Sequence, residues 1–166
     1  MGSKRLIEVR DFETMRVTEG ATTDVDLSVV IPTFNESYGI SKILRSLHSS
    51  LTELQIKFEI ILVDDDSPDN TWEIAAELLE EIPELTVIRR VGAKGLATAV
   101  ICGWQYSNGR LLGVMDGDGQ HPVGVVKDLF TVFRHNNIQT ELMQQEKCCG
   151  MPKFELGDLE LSLIHI

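Results

Sequence analysis

The sequence predicts an α/β domain built on a mainly parallel sheet, and three observations carry that prediction. Short apolar runs of strand length recur along the chain. Each is followed by apolar residues at helical spacing. Polar clusters, PTFNE, DDDSPDNT and DGDGQHP, stand where three of the strands end, which is where sheets of this kind bind ligands.

The elements follow in order. Residues 1–26 are polar, acidic and aperiodic and read as a loose leader. LSVVIP (27–32) is a first strand closed by proline, and Ile40, Ile43, Leu44, Leu47 and Leu51 then recur on one helical face. FEIILV (58–63) is a second strand. Trp72, Ala75, Ala76, Leu79 and Ile82 mark the helix after it, with Asp69 or Asn70 as N-cap. LTVIR (85–89) leads through a glycine-bearing turn to a helix near Leu96, Ala99, Val100 and Gly103. RLLGVM (110–115) precedes a helix carrying Val126, Leu129, Phe130 and Phe133. Four βα units in sequence imply parallel strands with helices packed on the sheet faces. After Phe133 the pattern stops: residues 134–166 read as a divergent tail, the mark of a lost reading frame or of translated read-through. The domain is therefore placed at 27–133.

Length and charge narrow the function. A chain of 166 residues suits one domain with a real core. Its 15 basic and 26 acidic residues, net −11, oppose a general nucleic-acid binder, which needs a basic footprint. The three cysteines, Cys102, Cys148 and Cys149, form no CxxC pair, and a reducing compartment is expected. No signal peptide and no run of about 18 apolar residues occurs. A cytoplasmic protein is expected, with any membrane contact peripheral.

The chemistry concentrates in MDGDGQHP (115–122). Asp116 and Asp118 follow a strand directly, and carboxylate pairs suit Mg²⁺ or Mn²⁺ held jointly with substrate phosphates. Asp-Gly is also common turn chemistry. An EF-hand is excluded, because the sixth position from Asp116 is His121 and the twelfth is Lys127. The glycine turn GAKGLATA is not a P-loop, and no GxGxxG follows any strand. His121 reads equally as a residue packed beside the turn or as part of a site, and no catalysis is assigned to it. Trp72 and Trp104 sit at helical positions and read as core, and Lys94 is a solvated charge or a phosphate contact. A receiver-like phosphoacceptor domain would share ILVDDD and VMD. Here, however, the acidic run ends the second strand, and that reading leaves PTFNE unexplained.

In order, VVIPTFNES, EIILVDDDSPDNTW, VIRRVGAKGLATAV and VMDGDGQHP resemble the family-2 inverting glycosyltransferases, and within them the dolichol-phosphate (polyprenol-phosphate) mannose synthases. The resemblance covers about residues 27–133. It implies a GT-A nucleotide-diphospho-sugar transferase fold and inverting, metal-dependent transfer of mannose from GDP-mannose to dolichyl or polyprenyl phosphate at the cytosolic face of a membrane. It implies that Pro32, Phe34, Glu36, Val63 and Asp65 hold the guanosine part. Asp116, Asp118 and Gln120 would bind Mg²⁺ or Mn²⁺ and the diphosphate, with Gly117 close to the donor and the two aspartates serving catalysis. Phe34 stands where tyrosine is common, and Gly117 and Gly119 replace the more usual Ala and Leu, which should loosen that loop. Hexosyl transfer from a UDP-sugar is the enzymatic alternative. Because the family's acceptor loop is not recognisable, the chain reads as a donor-binding fragment.

Overall fold

A computed structural model of the chain describes residues 5–10 and 24–118, together with Asp128 and Thr131. The elements are β1 (Leu6–Val9), β2 (Val25–Thr33), α1 (Ile40–Thr52), β3 (Phe58–Asp64), α2 (Thr71–Glu77), β4 (Leu85–Arg90), α3 (Leu96–Gln105) and β5 (Gly109–Val114). All strand pairings are parallel, in the order β1-β4-β3-β2-β5. The expected helix around Val126 to Phe133 lies almost wholly outside the described residues.

Beyond the four expected strands, the segment read as a loose leader supplies a fifth. LIEV pairs with β4 from Leu6↔Val87 to Val9↔Arg90, with Ile7 and Val9 half-buried and Leu6 and Glu8 outward. Arg5 fastens this edge strand: its guanidinium donates to the carbonyls of Ile82, at 2.8 Å, and Leu79 just after α2.

Side-chain alternation splits the core into two layers. Val29, Ile31, Ile60, Leu62, Leu85 and Val87 face α1 and α2, where Ile40, Leu44, Leu47 and Leu51 are fully buried. Val30, Ile61, Val63 and Ile88 face α3 instead. Helix α3 packs so closely that a Cβ at Gly103 would lie 2.4 Å from Val30 Cγ1. Pro32 sits inside a central strand, where a missing N–H would ordinarily break a ladder. Val30, one pleat earlier, gives its carbonyl to Met115 N at 2.9 Å as the β5 pairing ends. The absent N–H of Pro32 thus falls past the end of β5, and β2 runs on to Thr33.

From β2 the chain moves outward through β3 and β4, then returns to place β5 on the other side of β2. That reversal puts α1 and α2 on one face and α3 on the other. It also makes the carboxyl end of β2, beside β3 and β5, the topological switch point at which open α/β sheets bind ligands.

Candidate functional site

Three polar segments meet at this switch point. β2 delivers Thr33 to Glu36, β3 delivers Asp64 to Ser67, and β5 delivers Met115 to Asp118. The first two segments are laced together. The consecutive N–H groups of Asn35, Glu36 and Ser37 donate to Ser67 Oγ at 3.0 Å, Thr71 Oγ1 at 2.9 Å and Asp69 Oδ2 at 3.0 Å. Asn35, Asp66 and Asn70 turn these loops in the left-handed region, which short amide and acid side chains tolerate. Ser67 and Thr71, to which the sequence assigned no role, and Asp69, expected only as a helix cap, fix the backbone that presents Phe34 and Glu36. Asn70 is the N-cap residue of α2, but Asp69 makes the capping bond, accepting Thr71 N at 3.1 Å. Burial pushes the Asp69 carboxyl up, and the Thr71 and Ser37 hydrogen bonds together outweigh it, leaving the carboxyl below its ordinary value.

The candidate donor residues divide by environment. Pro32 is buried at the root of the site. Val63 is fully buried in the α3-side core, which leaves its side chain no surface for a ligand. Asp65 is also buried, with both oxygens engaged: Oδ1 accepts from Arg90 Nε at 2.7 Å, and Oδ2 from Gly95 N at 2.7 Å. Arg90 is itself 1% exposed. Phe34, by contrast, is exposed and carries the Lys94 ammonium 4.5 Å from its ring centroid. Trp72 is half-buried, with the Arg89 guanidinium 4.3 Å from its ring centroid, so it serves packing rather than a sugar.

Asp116 and Asp118 are exposed, with buried Met115 and Gly117 between and before them. A Cβ at Gly117 would stand 2.8 Å from Thr33 Cγ2 and 3.1 Å from Pro32 O. Glycine here permits close contact between the β5 loop and β2. Glu36 completes the acidic group: burial raises its carboxyl above the ordinary value, and the charges of Asp118, Asp116 and Asp69 raise it further. Gln120 and His121 lie outside the described residues. Among the described residues no group of three or more His, Cys, Asp or Glu side chains converges as a metal cage. The donor set nonetheless fits a hard divalent cation shared with phosphate: carboxylate oxygens, open to solvent on one side, in a negative potential that a cation would offset.

A model of glycosyl transferase family 2 matches residues 28–158. The chain belongs to that family. The match passes residue 133 and takes in part of the segment read as a divergent tail. Curated relatives include the dolichol-phosphate mannosyltransferase of Pyrococcus furiosus, 41% identical over 111 residues, 67% of this chain and 31% of that protein. The enzyme of the same name from Saccharomyces cerevisiae is 33% identical over 107 residues, 64% of this chain and 40% of its own length. The chain thus spans about a third of the first of these relatives and two fifths of the second. Among solved structures, a mannosyltransferase from Pyrobaculum calidifontis in complex with GDP-Man and Mn²⁺ superposes with TM-score 0.53 at 23% identity, over 70% of this chain and 35% of that one. Staphylococcus aureus TarS 1–349 with UDP gives TM-score 0.55 at 20% identity, over 73% and 38%. Both neighbours share the GT-A architecture, and the receiver-like alternative falls with the family assignment.

Proposed function

We propose that this chain is the donor-binding part of a polyprenyl-phosphate mannosyltransferase, active peripherally at the cytosolic face of a membrane. The observation that carries the reading is the meeting of three polar segments at one switch point, with Glu36 inside the field of Asp116 and Asp118. The relatives named dolichol-phosphate mannosyltransferase support the acceptor, and the Pyrobaculum complex with GDP-Man and Mn²⁺ supports donor and metal.

In this reading the exposed ring of Phe34 offers a stacking face to the base, and Pro32 and the laced 33–37 backbone set its depth. Asp116 and Asp118, with Gln120, would hold Mg²⁺ or Mn²⁺. When bound, the ion offsets charge that accumulates on the diphosphate leaving group. The close approach of Gly117 to β2 fixes where that loop presents its carboxylates. The acceptor is a phosphate monoester, mostly dianionic at neutral pH because its second pKa is about 6, so it attacks without a general base. One displacement at the anomeric carbon inverts it.

A UDP-hexose donor is the second reading, favoured by the TarS complexes with UDP and UDP-GlcNAc. Thermal unfolding with GDP, GDP-mannose or UDP, each with Mn²⁺, Mg²⁺ or a chelator, separates the two. Ligand at about 100 times Kd stabilises the fold by about 2.7 kcal/mol, a rise of several degrees. Larger shifts with GDP plus metal are expected. Larger shifts with UDP would transfer the assignment, metal-independent shifts would remove the metal, and no shift would refute donor binding.

A further inference from the structure

Lys94 is the feature that neither the fold nor the proposed donor set absorbs. Of the basic side chains on the stretch from the end of β4 to α3, two are committed. Arg89 is held by Asp66, with Nη2 to Oδ1 at 2.6 Å, and lies over Trp72. Arg90 is buried against Asp65. Lys94 is exposed, and among the described residues its ammonium meets only the Phe34 ring. A cation–π contact at an exposed site is weak.

The backbone beneath Lys94 is fixed more firmly than an exposed lysine requires. Gly95 adopts φ +131°, a conformation that L side chains rarely take. Its N–H is held by Asp65 Oδ2 at 2.7 Å and its carbonyl by Arg90 Nη2 at 3.3 Å. A buried ion pair therefore sets the point from which the lysine stem departs. That stem reaches to Phe34, two residues before Glu36, whose carboxyl feels Asp116 and Asp118. Adding a diphosphate to these three carboxylates brings more negative charge than one divalent ion offsets.

We infer that Lys94 is a donor-binding residue: its ammonium rests on Phe34 in the free protein and moves onto the diphosphate of a bound nucleoside diphosphate. The assignment rests on the donor-binding reading above and adds to it the cation that makes phosphate binding favourable. Lysine suits the task, being a compact charge on a flexible four-carbon stem. The buried Asp65–Arg90 pair is the positioning element, acting through Gly95.

The test measures GDP binding to the chain in the presence of Mn²⁺ by calorimetry, at low and high KCl, for the wild type, Lys94→Met and Lys94→Arg. Lys94→Met keeps the stem and removes the charge. Its GDP affinity should fall about tenfold, on the scale of a lost charge-assisted contact. Added salt should weaken its binding less than that of the wild type, because a screened attraction has been removed. Lys94→Arg keeps the charge and should lose clearly less affinity than Lys94→Met. Unchanged affinity in Lys94→Met would overturn the inference while leaving donor binding standing. So would a loss with unaltered salt dependence, or equal losses in both variants. Absence of GDP binding by the wild type would refute donor binding and this inference together.

Discussion

Removing the carboxylate of Asp65 should be among the most damaging single changes in this chain, although no ligand need be involved. Arg90 is 1% exposed, and its charge is balanced by Asp65 Oδ1 at 2.7 Å from Nε and 2.6 Å from Nη2. Its Nη1 is buried without a hydrogen-bond partner. Asp65→Ala leaves that guanidinium unpaired in the interior, a change that costs about 3–5 kcal/mol in comparable buried pairs. For a chain of this size about 2–4 °C of melting temperature follows each kcal/mol, so a fall of about 6–20 °C is expected. Arg90→Met should cost less, because it fills the same volume and Asp65 keeps the Gly95 N–H. The double variant Asp65→Ala/Arg90→Met should recover much of the loss, giving a large coupling energy in a thermal double-mutant cycle. A loss below about 1 kcal/mol in Asp65→Ala, the range of a solvated surface pair, would show that water reaches Arg90 and would refute this reasoning.

Asp64→Asn should be neutral to slightly stabilising at pH 7, because the amide can satisfy Ser67 and Thr33 without the burial that raises the Asp64 carboxyl. That raised value means ionisation opposes folding, so any advantage of the variant over the wild type in chemical denaturation should shrink as pH falls through the folded value toward the unfolded one. Asp69 has the opposite sign: its lowered value contributes stability above the unfolded pKa of about 3.9, lost as pH falls through the folded one. The pH-dependent part of the loss in Asp69→Asn should therefore vanish in acid, and a constant difference would contradict the lacing. Gly117→Ala should cost about 1–3 kcal/mol in thermal melts, since its Cβ would meet Thr33 and Pro32. A loop loosened by glycine would instead be stabilised by the change. Asp118→Asn should abolish the metal-dependent part of the GDP-induced melting shift, and an intact shift would remove Asp118 from the proposed metal site.

What could be read from sequence was the periodic part. The α1 residues chosen by spacing, Ile40, Ile43, Leu44, Leu47 and Leu51, are its buried face, because a helix packed on a sheet must carry one apolar stripe. The strands of the βα units were visible as apolar runs because strands buried on both faces need no polar alternation. β1 was missed for the converse reason. LIEV is an edge strand that buries only Ile7 and Val9 in part, and four residues between charged neighbours such as Arg5 and Arg10 give little signal. The meeting of PTFNE, DDD and DGD was inferable from strand ends. The lacing by Ser67, Asp69 and Thr71 was not, since it joins side chains to backbone N–H groups more than 30 positions away.

The run Asp64-Asp65-Asp66 shows why acidic composition alone could not locate a metal. These consecutive carboxylates leave the end of one strand in different directions, and each meets its own partners. Asp64 accepts from Thr33 Oγ1 at 3.0 Å, Ser67 N at 2.8 Å and Ser67 Oγ at 2.7 Å. Asp65 takes Arg90 and Gly95, and Asp66, past the strand in the left-handed region, takes Arg89 at 2.7 Å. A carboxylate whose oxygens are filled by protein donors has little capacity left for a cation, so this run organises the loops around the site. Asp116 and Asp118 are exposed instead, and their charges add to burial, the larger cause, in raising the Glu36 carboxyl. Such an arrangement works against the fold by itself, and in the proposed function a bound cation would offset it. The two acidic clusters therefore differ by burial: the one on β3 is engaged in the scaffold, and the one after β5 is the one that, in the proposed function, would present its charge to a ligand.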